Sequence, residues 1–375
     1  MTYLDDKYTE LLNDESLDIE DNEDEQYEKD TFEYNPDKIN IATKEPTIEQ
    51  LLRRIGQEAL NLSPDFQRQA GIWTPDAKSR LIESILIRIP LPAFYIDATN
   101  DDQWVVVDGL QRLSALKEFV TDNKLILTGL EYLKHLNGKT YKELEPKYQR
   151  RILETQPTIY LIEKGTPPEV KYNIFKRINT GGIPLSNQEL RHALNPGKAN
   201  KFVKELANLP EFTDLIDLSD SKKKRMDDRE FILGHLAFIL TSYKDYKENT
   251  RDLFLNEALS KINKLSDQEL TKIRENFKRA MIAANDIFGD KAFRKIKNER
   301  RFPVNKSLFE TWSFYLSQLS DEHIQKLIKN KQNLIDKLIE YTDNDQEFLS
   351  SISQAAKKVE YRFETIGKII QEVLL

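Results

Sequence analysis

Hydrophobic positions fall into two patterns along this chain. Up to about residue 200 they come as short runs and alternations broken by Pro, Gly and Asn, which predict strands mixed with helices. Beyond that point they recur every three to four residues almost without interruption, which predicts helices. Ile39 and Ile41 alternate with polar residues and predict an edge strand. Thr47 with Gln50 makes a capping box, and Ile48, Leu51, Leu52, Ile55 and Ala59 carry the stripe of the helix it opens. A second helix is predicted over 75–88, with Leu81, Ile82, Ile85 and Leu86 inward. Strands follow at 94–96, 104–107, 125–127 and 158–162, and helices at 148–153 and 169–178. A further helix, carrying Leu113, Leu116 and Val120, starts directly after the 104–107 strand. The later helical segments are 200–208, 227–244, 251–264, 267–288, 305–318, 321–342 and 346–374. The last two carry Leu327, Leu334, Leu338, Ile366, Ile369, Ile370 and Val373 at helical spacing. This adds up to an α+β fold: a small mixed sheet with helices, then an all-α region that packs on the core or on another chain.

Charge divides the chain further. Residues 1–33 hold 14 Asp/Glu against two Lys, a net of −12, whereas the rest has 54 Lys/Arg against 49 Asp/Glu, a net of +5. Three regions are therefore expected: an acidic, disordered tail over 1–34, a mixed core over 35–200 and a helical region over 201–375. The tail reads as a solvating segment, or more sharply as a nucleic-acid mimic that competes for the basic remainder. At 39% hydrophobic and 32% charged, the 375 residues can bury a sizeable core and stay soluble. No apolar run approaches the roughly 18 residues needed to span a bilayer, and no basic stretch followed by an apolar one opens the chain. No membrane partner is expected. The absence of cysteine excludes disulfides, thiolate zinc sites and cysteine nucleophiles, and fits a cytoplasmic protein.

The candidate chemistry begins where the 104–107 strand breaks at Asp108-Gly109 and turns straight into a helix. A helix start exposes N–H groups and a positive dipole end that favour phosphate. Gly109 lets the backbone approach a ligand, and Arg112 on the first turn can fork onto two phosphate oxygens. The same residues also read as an ordinary corner, with Asp108 as N-cap and Arg112 in a surface ion pair. Gln67 and Arg68 follow Pro64 in an extended loop with an amide and a cation. Arg177 and Asn179 stand just before the Gly181-Gly182 turn, which Ser186 and Glu189 follow as a capping box. That joint also reads as a plain helix connection, with Arg191 paired to a nearby carboxylate.

Two basic clusters stand in the helical region, Lys222 to Arg225 and Lys291 to Arg301. The second holds six Lys/Arg against one Glu, with Phe293 and Phe302 interleaved, and is the better nucleic-acid candidate through Arg294, Lys295, Lys297, Arg300 and Arg301. The four histidines, His135, His192, His235 and His323, form no metal or nuclease spacing, and His235 in an apolar helix reads as a core residue. There is no Gly-x-x-x-x-Gly-Lys-Ser/Thr loop, so a P-loop ATPase is not expected.

Taken together and in order, these stretches resemble the N-terminal domain of GmrSD-type restriction endonucleases. The resemblance is carried by P-D-F-Q-R from Pro64, Trp73, L-I-E-S-I-L from Leu81, I-P-L-P from Ile89 and V-V-D-G-L-Q-R-L from Val106. It continues with F-K-R-I-N-T-G-G-I-P-L-S-N-Q-E-L-R from Phe175, R-M-D-D-R-E from Arg225 and F-P-V-N-K-S-L-F-E from Phe302. The resemblance implies a ParB/sulfiredoxin-like core, in which a Gly-x-x-Arg turn holds nucleotide phosphates, and a role in defence against phage DNA. It makes Asp108, Gly109, Gln111 and Arg112 the phosphate and catalytic turn, with Asp108 binding Mg²⁺ or orienting the attacking water. Gln67 and Arg68 become a second wall of the nucleotide site, and Arg177 and Asn179 a third. Two positions depart from the family: Leu110 stands where its best-studied members carry Gln, and no His–Asn–His nuclease pattern follows. The expected function is therefore nucleotide binding with NTP hydrolysis as the further step. One alternative is a DNA-binding protein or nuclease that uses the same pocket. Another is a non-enzymatic module that docks a separate nuclease subunit or forms a homo-oligomer.

Overall fold

The structure is a computed structural model that describes residues 39–62, 73–178, 186–195, 197–247, 251–297 and 300–375. The acidic tail, Gln67, Arg68 and Asn179 lie outside the described residues, as do the side chains of Arg177, Lys297, Arg300 and Arg301. The chain divides into two compact units, one within Glu33–Leu185 and one containing Ser186–Leu375.

The first unit is α+β. Its strands are β1 (Ile41–Lys44), β2 (Leu60–Asn61), β3 (Phe94–Ala98), β4 (Trp104–Asp108) and β5 (Ile159–Glu163), in the sheet order β1-β5-β3-β4-β2. The predicted edge strand is β1, antiparallel to β5. β3 and β4 form an antiparallel hairpin, and β3 runs parallel to β5. Phe94, Ile96, Val106, Ile159 and Leu161 pack with Leu51, Leu60 and Leu113 into one small core. Helix α1 (Ile48–Gly56) carries the predicted Thr47–Gln50 capping box, and α2 (Pro75–Leu86) starts at Thr74, whose hydroxyl accepts the Ala77 N–H at 3.3 Å. Helix α3 (Leu110–Leu116) follows β4 and continues into one π-helical turn over Lys117–Thr121. That turn seats the fully buried Phe119 in a second cluster with Ile82, Ile85, Leu116 and Leu136. Helices α4 (Pro146–Glu154) and α5 (Pro168–Ile178) flank β5.

The predicted strand at 125–127 does not form. Leu125 and Leu127 are buried and Ile126 is exposed, as alternation requires, but the segment joins no sheet. Leu127 instead exchanges backbone bonds with Lys139 (3.0 Å) and Gly138 (2.8 Å). The buried Glu83 carboxylate secures this region by accepting the N–H groups of Glu131, Tyr132 and Leu133 at 3.0, 2.8 and 2.7 Å. Burial pushes that carboxyl up, and the three donors together outweigh it, so it titrates below the ordinary glutamate range.

Among its described residues the second unit is helical apart from one hairpin. Its longer helices are α6 (Asn187–Leu194), α7 (Lys198–Ala207), α8 (Asp227–Leu240), α9 (Arg251–Lys264), α10 (Asp267–Phe288) and α11 (Lys306–Gln318). They are followed by α12 (Asp321–Lys329), α13 (Lys331–Asn344), α14 (Gln346–Ser353) and α15 (Val359–Leu374). The two long helices predicted at the end are thus four. Asn330 ends α12 and starts α13, and residues 354–358 separate α14 from α15, with Lys358 at φ 50°. The apolar stripe is continuous through both breaks, so periodicity alone does not reveal them. All of these helices except α6 contribute to a single core around Phe277, Phe309, Trp312 and Phe363.

His235 sits on α8 within this core, as its apolar neighbours predict. It is 1% exposed, and its Nδ1 lies 2.8 Å from the Ser313 hydroxyl. Burial pushes its pKa down to about 3, so the folded state keeps it neutral where the unfolded chain takes a proton. Stability supplied by this group is complete above the ordinary histidine pKa of about 6.5 and is lost as pH falls below it, at about 1.4 kcal/mol per unit. Denaturant titrations of wild type and His235→Leu between pH 7 and 5 check this: the wild-type loss should be steeper than that of the variant.

Candidate functional site at the strand-to-helix turn

Four apolar residues, Trp104 to Val107, bring β4 into the sheet, and the strand ends where Gly109 turns left-handed at φ +95°. Position 109 admits only glycine. A Cβ there would overlap the Phe94 ring, with the Cε1 atom 2.8 Å away, and would stand 3.2 Å from the Arg112 guanidinium. Gly109, not Asp108, is the N-cap of α3, and no side chain caps this helix start. The expectation of Asp108 as cap is corrected because its carboxylate is drawn to Arg112, with Oδ2 2.8 Å from the guanidinium.

Arg112 is likewise not in a surface ion pair. It is 8% exposed. Its guanidinium also donates to the carbonyls of Pro92 and Ala93 and lies 4.4 Å from the centre of the Phe94 ring. Burial lowers its pKa and the Asp108 carboxylate partly restores it. The side chain therefore ties the helix start to the segment that enters β3. Gln111 is half-buried beside it, and Leu110 packs partly against the sheet core.

A bulge at the end of the β3–β4 hairpin sets the direction of Asp108. Ile96 pairs with Val106, but the next pair is Tyr95 with Asp108, which leaves Val107 unmatched. Bulges re-aim side chains near ligand sites. Tyr95 in turn pairs with Tyr160 on β5, their rings stacked at 5.0 Å and 26°. Sequence reading placed both tyrosines on strands but missed their pairing, because only register brings them together. On the same sheet, the Asp97 carboxylate is held by Lys171 of α5 at 2.7 Å. Among the described residues, no three His, Cys, Asp or Glu side chains gather as a metal site.

The later motif stretches meet in a different place, inside the helical unit. Ser186 and Glu189 make the predicted capping box, and the Ser186 hydroxyl donates to the Arg225 carbonyl at 2.9 Å. Arg225 reaches back to Glu189 at 3.3 Å. Arg191, 1% exposed, pairs with Asp252 and approaches Glu230 at 3.8 Å, while Lys306 bonds Glu230 at 3.1 Å. Glu310 accepts from Arg251 at 2.5 Å and from the fully buried Arg362 at 3.4 Å. Burial raises the Glu230 carboxyl, but Lys306, Arg191 and Arg251 bring it down to about 2. The carboxylate expected beside Arg191 is therefore present, and this cluster holds helices together.

The basic cluster after Lys291 folds as a hairpin, Arg294–Lys297 paired with Arg300–Val304. Phe293 is 2% exposed and packs edge-on to Phe309, so it offers no stacking face. Arg294 is 5% exposed and donates to the Phe302 carbonyl at 2.7 Å, and Lys295 reaches Ser353 at 3.2 Å. The nucleic-acid expectation is corrected for Arg294, which the core has enclosed.

Residues 48–195 match the family described as the GmrSD restriction endonuclease, N-terminal domain. This stretch, which contains the whole turn, is thus similar to a GmrSD N-terminal domain. No curated protein matches the chain, and no solved structure does. Among the described residues no helix is long and apolar enough to cross a membrane.

Gly109→Ala should cost at least about 2 kcal/mol, from a left-handed alanine and from overlap with Phe94. Gly165 has a similar φ of +102° with nothing within 4 Å of a built Cβ, so Gly165→Ala carries only the backbone strain. Chemical denaturation of both variants should show the larger loss at position 109.

Proposed function

We propose that the chain belongs to a bacterial restriction, anti-phage system and binds a nucleotide by its phosphates at the turn from Asp108 to Arg112. The observation that carries this reading is the helix start itself: α3 follows a left-handed glycine, lacks a capping side chain and has a guanidinium within its first turn. Backbone N–H groups and the dipole end attract an anion there. The GmrSD match supports the restriction setting.

In this reading Gly109 brings the backbone close to the phosphates, and Arg112 both anchors the turn and lends it positive charge. Gln111 lies on the same helical turn and adds a polar side chain. Asp108 is the candidate for holding a Mg²⁺ that arrives with the phosphates, or for orienting water in NTP hydrolysis. A magnesium ion is commonly held by one or two carboxylates together with substrate phosphates, so a lone Asp108 fits that role. Leu110 offers no polar atom to water or phosphate, which makes binding better supported than hydrolysis. Gln67, Arg68, Arg177 and Asn179 would complete the walls. DNA or a nuclease subunit is the partner that the restriction setting suggests.

Calorimetry of the full chain with ATP, GTP, CTP and UTP tests the proposal, alongside phosphate release with and without DNA. Saturable binding is expected. Arg112→Lys should weaken it by about tenfold or more, because an ammonium cannot reproduce the planar fork. Thermal melting of that variant separates lost binding from lost fold. Wild type that takes up none of the four nucleotides overturns the reading.

A further inference from the structure

We infer that the stacked pair Tyr95–Tyr160 is the base platform of the nucleotide site. The inference rests on the nucleotide reading of the turn and extends it to the other end of the ligand. The observation is a row across the sheet. Register aligns Asp108 of β4 with Tyr95 of β3, Tyr95 with Tyr160 of β5, and Tyr160 with Thr43 of β1. Side chains paired in register share one face of a sheet. On the opposite face Phe94, Ile96, Ile159 and Leu161 close the core.

The two tyrosines are half-buried, and among the described residues neither hydroxyl takes a hydrogen-bond partner. Their rings are offset-stacked at 5.0 Å and 26°, an arrangement that a planar heterocycle can extend. The next place in the row, beyond Tyr95, is above Asp108, whose short side chain is drawn to Arg112. Tyr95 lies about 6 Å from Gly109, one strand spacing across and one residue along. A single ribose spans that interval between a stacked base and phosphates at the turn. The bulge between Tyr95 and Ile96 is what aligns Asp108 with the aromatic row; regular pairing would have placed Val107 there.

Stacking sees the π-face that every base shares, so this platform predicts a nucleoside triphosphate site with little preference among bases. The chemistry it recognises is a planar base one ribose away from an anion.

The test compares ATP, GTP, CTP and UTP with inorganic tripolyphosphate, on the full chain, by calorimetry. Wild type should bind the nucleotides about tenfold or more tighter than tripolyphosphate. Tyr95→Ala and Tyr160→Ala should erase that advantage, and Tyr95→Phe and Tyr160→Phe should keep it. Circular dichroism confirms the fold of each variant. If wild type binds nucleotides and tripolyphosphate equally, or if the alanine variants keep the full advantage, the platform is overturned while the phosphate site stands. If wild type binds neither, the phosphate site falls and the platform falls with it.

Discussion

A buried guanidinium organises the first unit. Arg112 cannot leave its donors unpaired in the protein interior without a cost of several kcal/mol. Its partners are the Asp108 carboxylate and the carbonyls of Pro92 and Ala93, and its planar face rests against the Phe94 ring. Each contact constrains the next. The ring lies so close to Gly109 that only glycine fits, and the ion pair draws the Asp108 carboxylate away from the helix start. The start of α3 is thereby left to backbone groups alone, which is the condition for anion binding. Structure and proposed function are not in competition at this residue, since the clamp is what shapes the turn.

The helical unit uses charge differently. Arg191, Glu230, Lys306, Arg251, Glu310 and Arg362 are taken up with one another in the interior. Burying an ion pair is at best about neutral against a well-packed apolar core, whereas removing one partner costs about 3–5 kcal/mol. Such a cluster therefore specifies which helices meet more than it adds to stability. Several of the stretches that carry the family resemblance serve this end, so a shared motif need not mark a ligand.

Much of the architecture was legible from patterning. The strands at Trp104, Phe94 and Ile159, the capping boxes at Thr47 and Ser186 and the core place of His235 all depend on near neighbours in sequence, where periodicity and side-chain oxygens act directly. The segment at Leu125 misled because alternation reports burial of every second residue, and a loop held by Glu83 produces the same pattern without a sheet. Arg294 misled for a related reason. A long side chain counts as a charge in sequence, yet it buries readily when a carbonyl such as that of Phe302 receives it.

By itself, then, the sequence determined the α+β class of the first unit, the helical second part and the turn at Asp108-Gly109, since these arise from local propensity and spacing. Tertiary structure alone decided what surrounds the turn. Arg112 turned inward because the carbonyls that receive it, those of Pro92 and Ala93, lie some 20 positions away in the chain, and Tyr95 met Tyr160 because register joined two strands far apart in sequence. A one-residue bulge then set Asp108 in line with them. Contacts of that kind depend on how elements pair and pack, which no window along the chain contains.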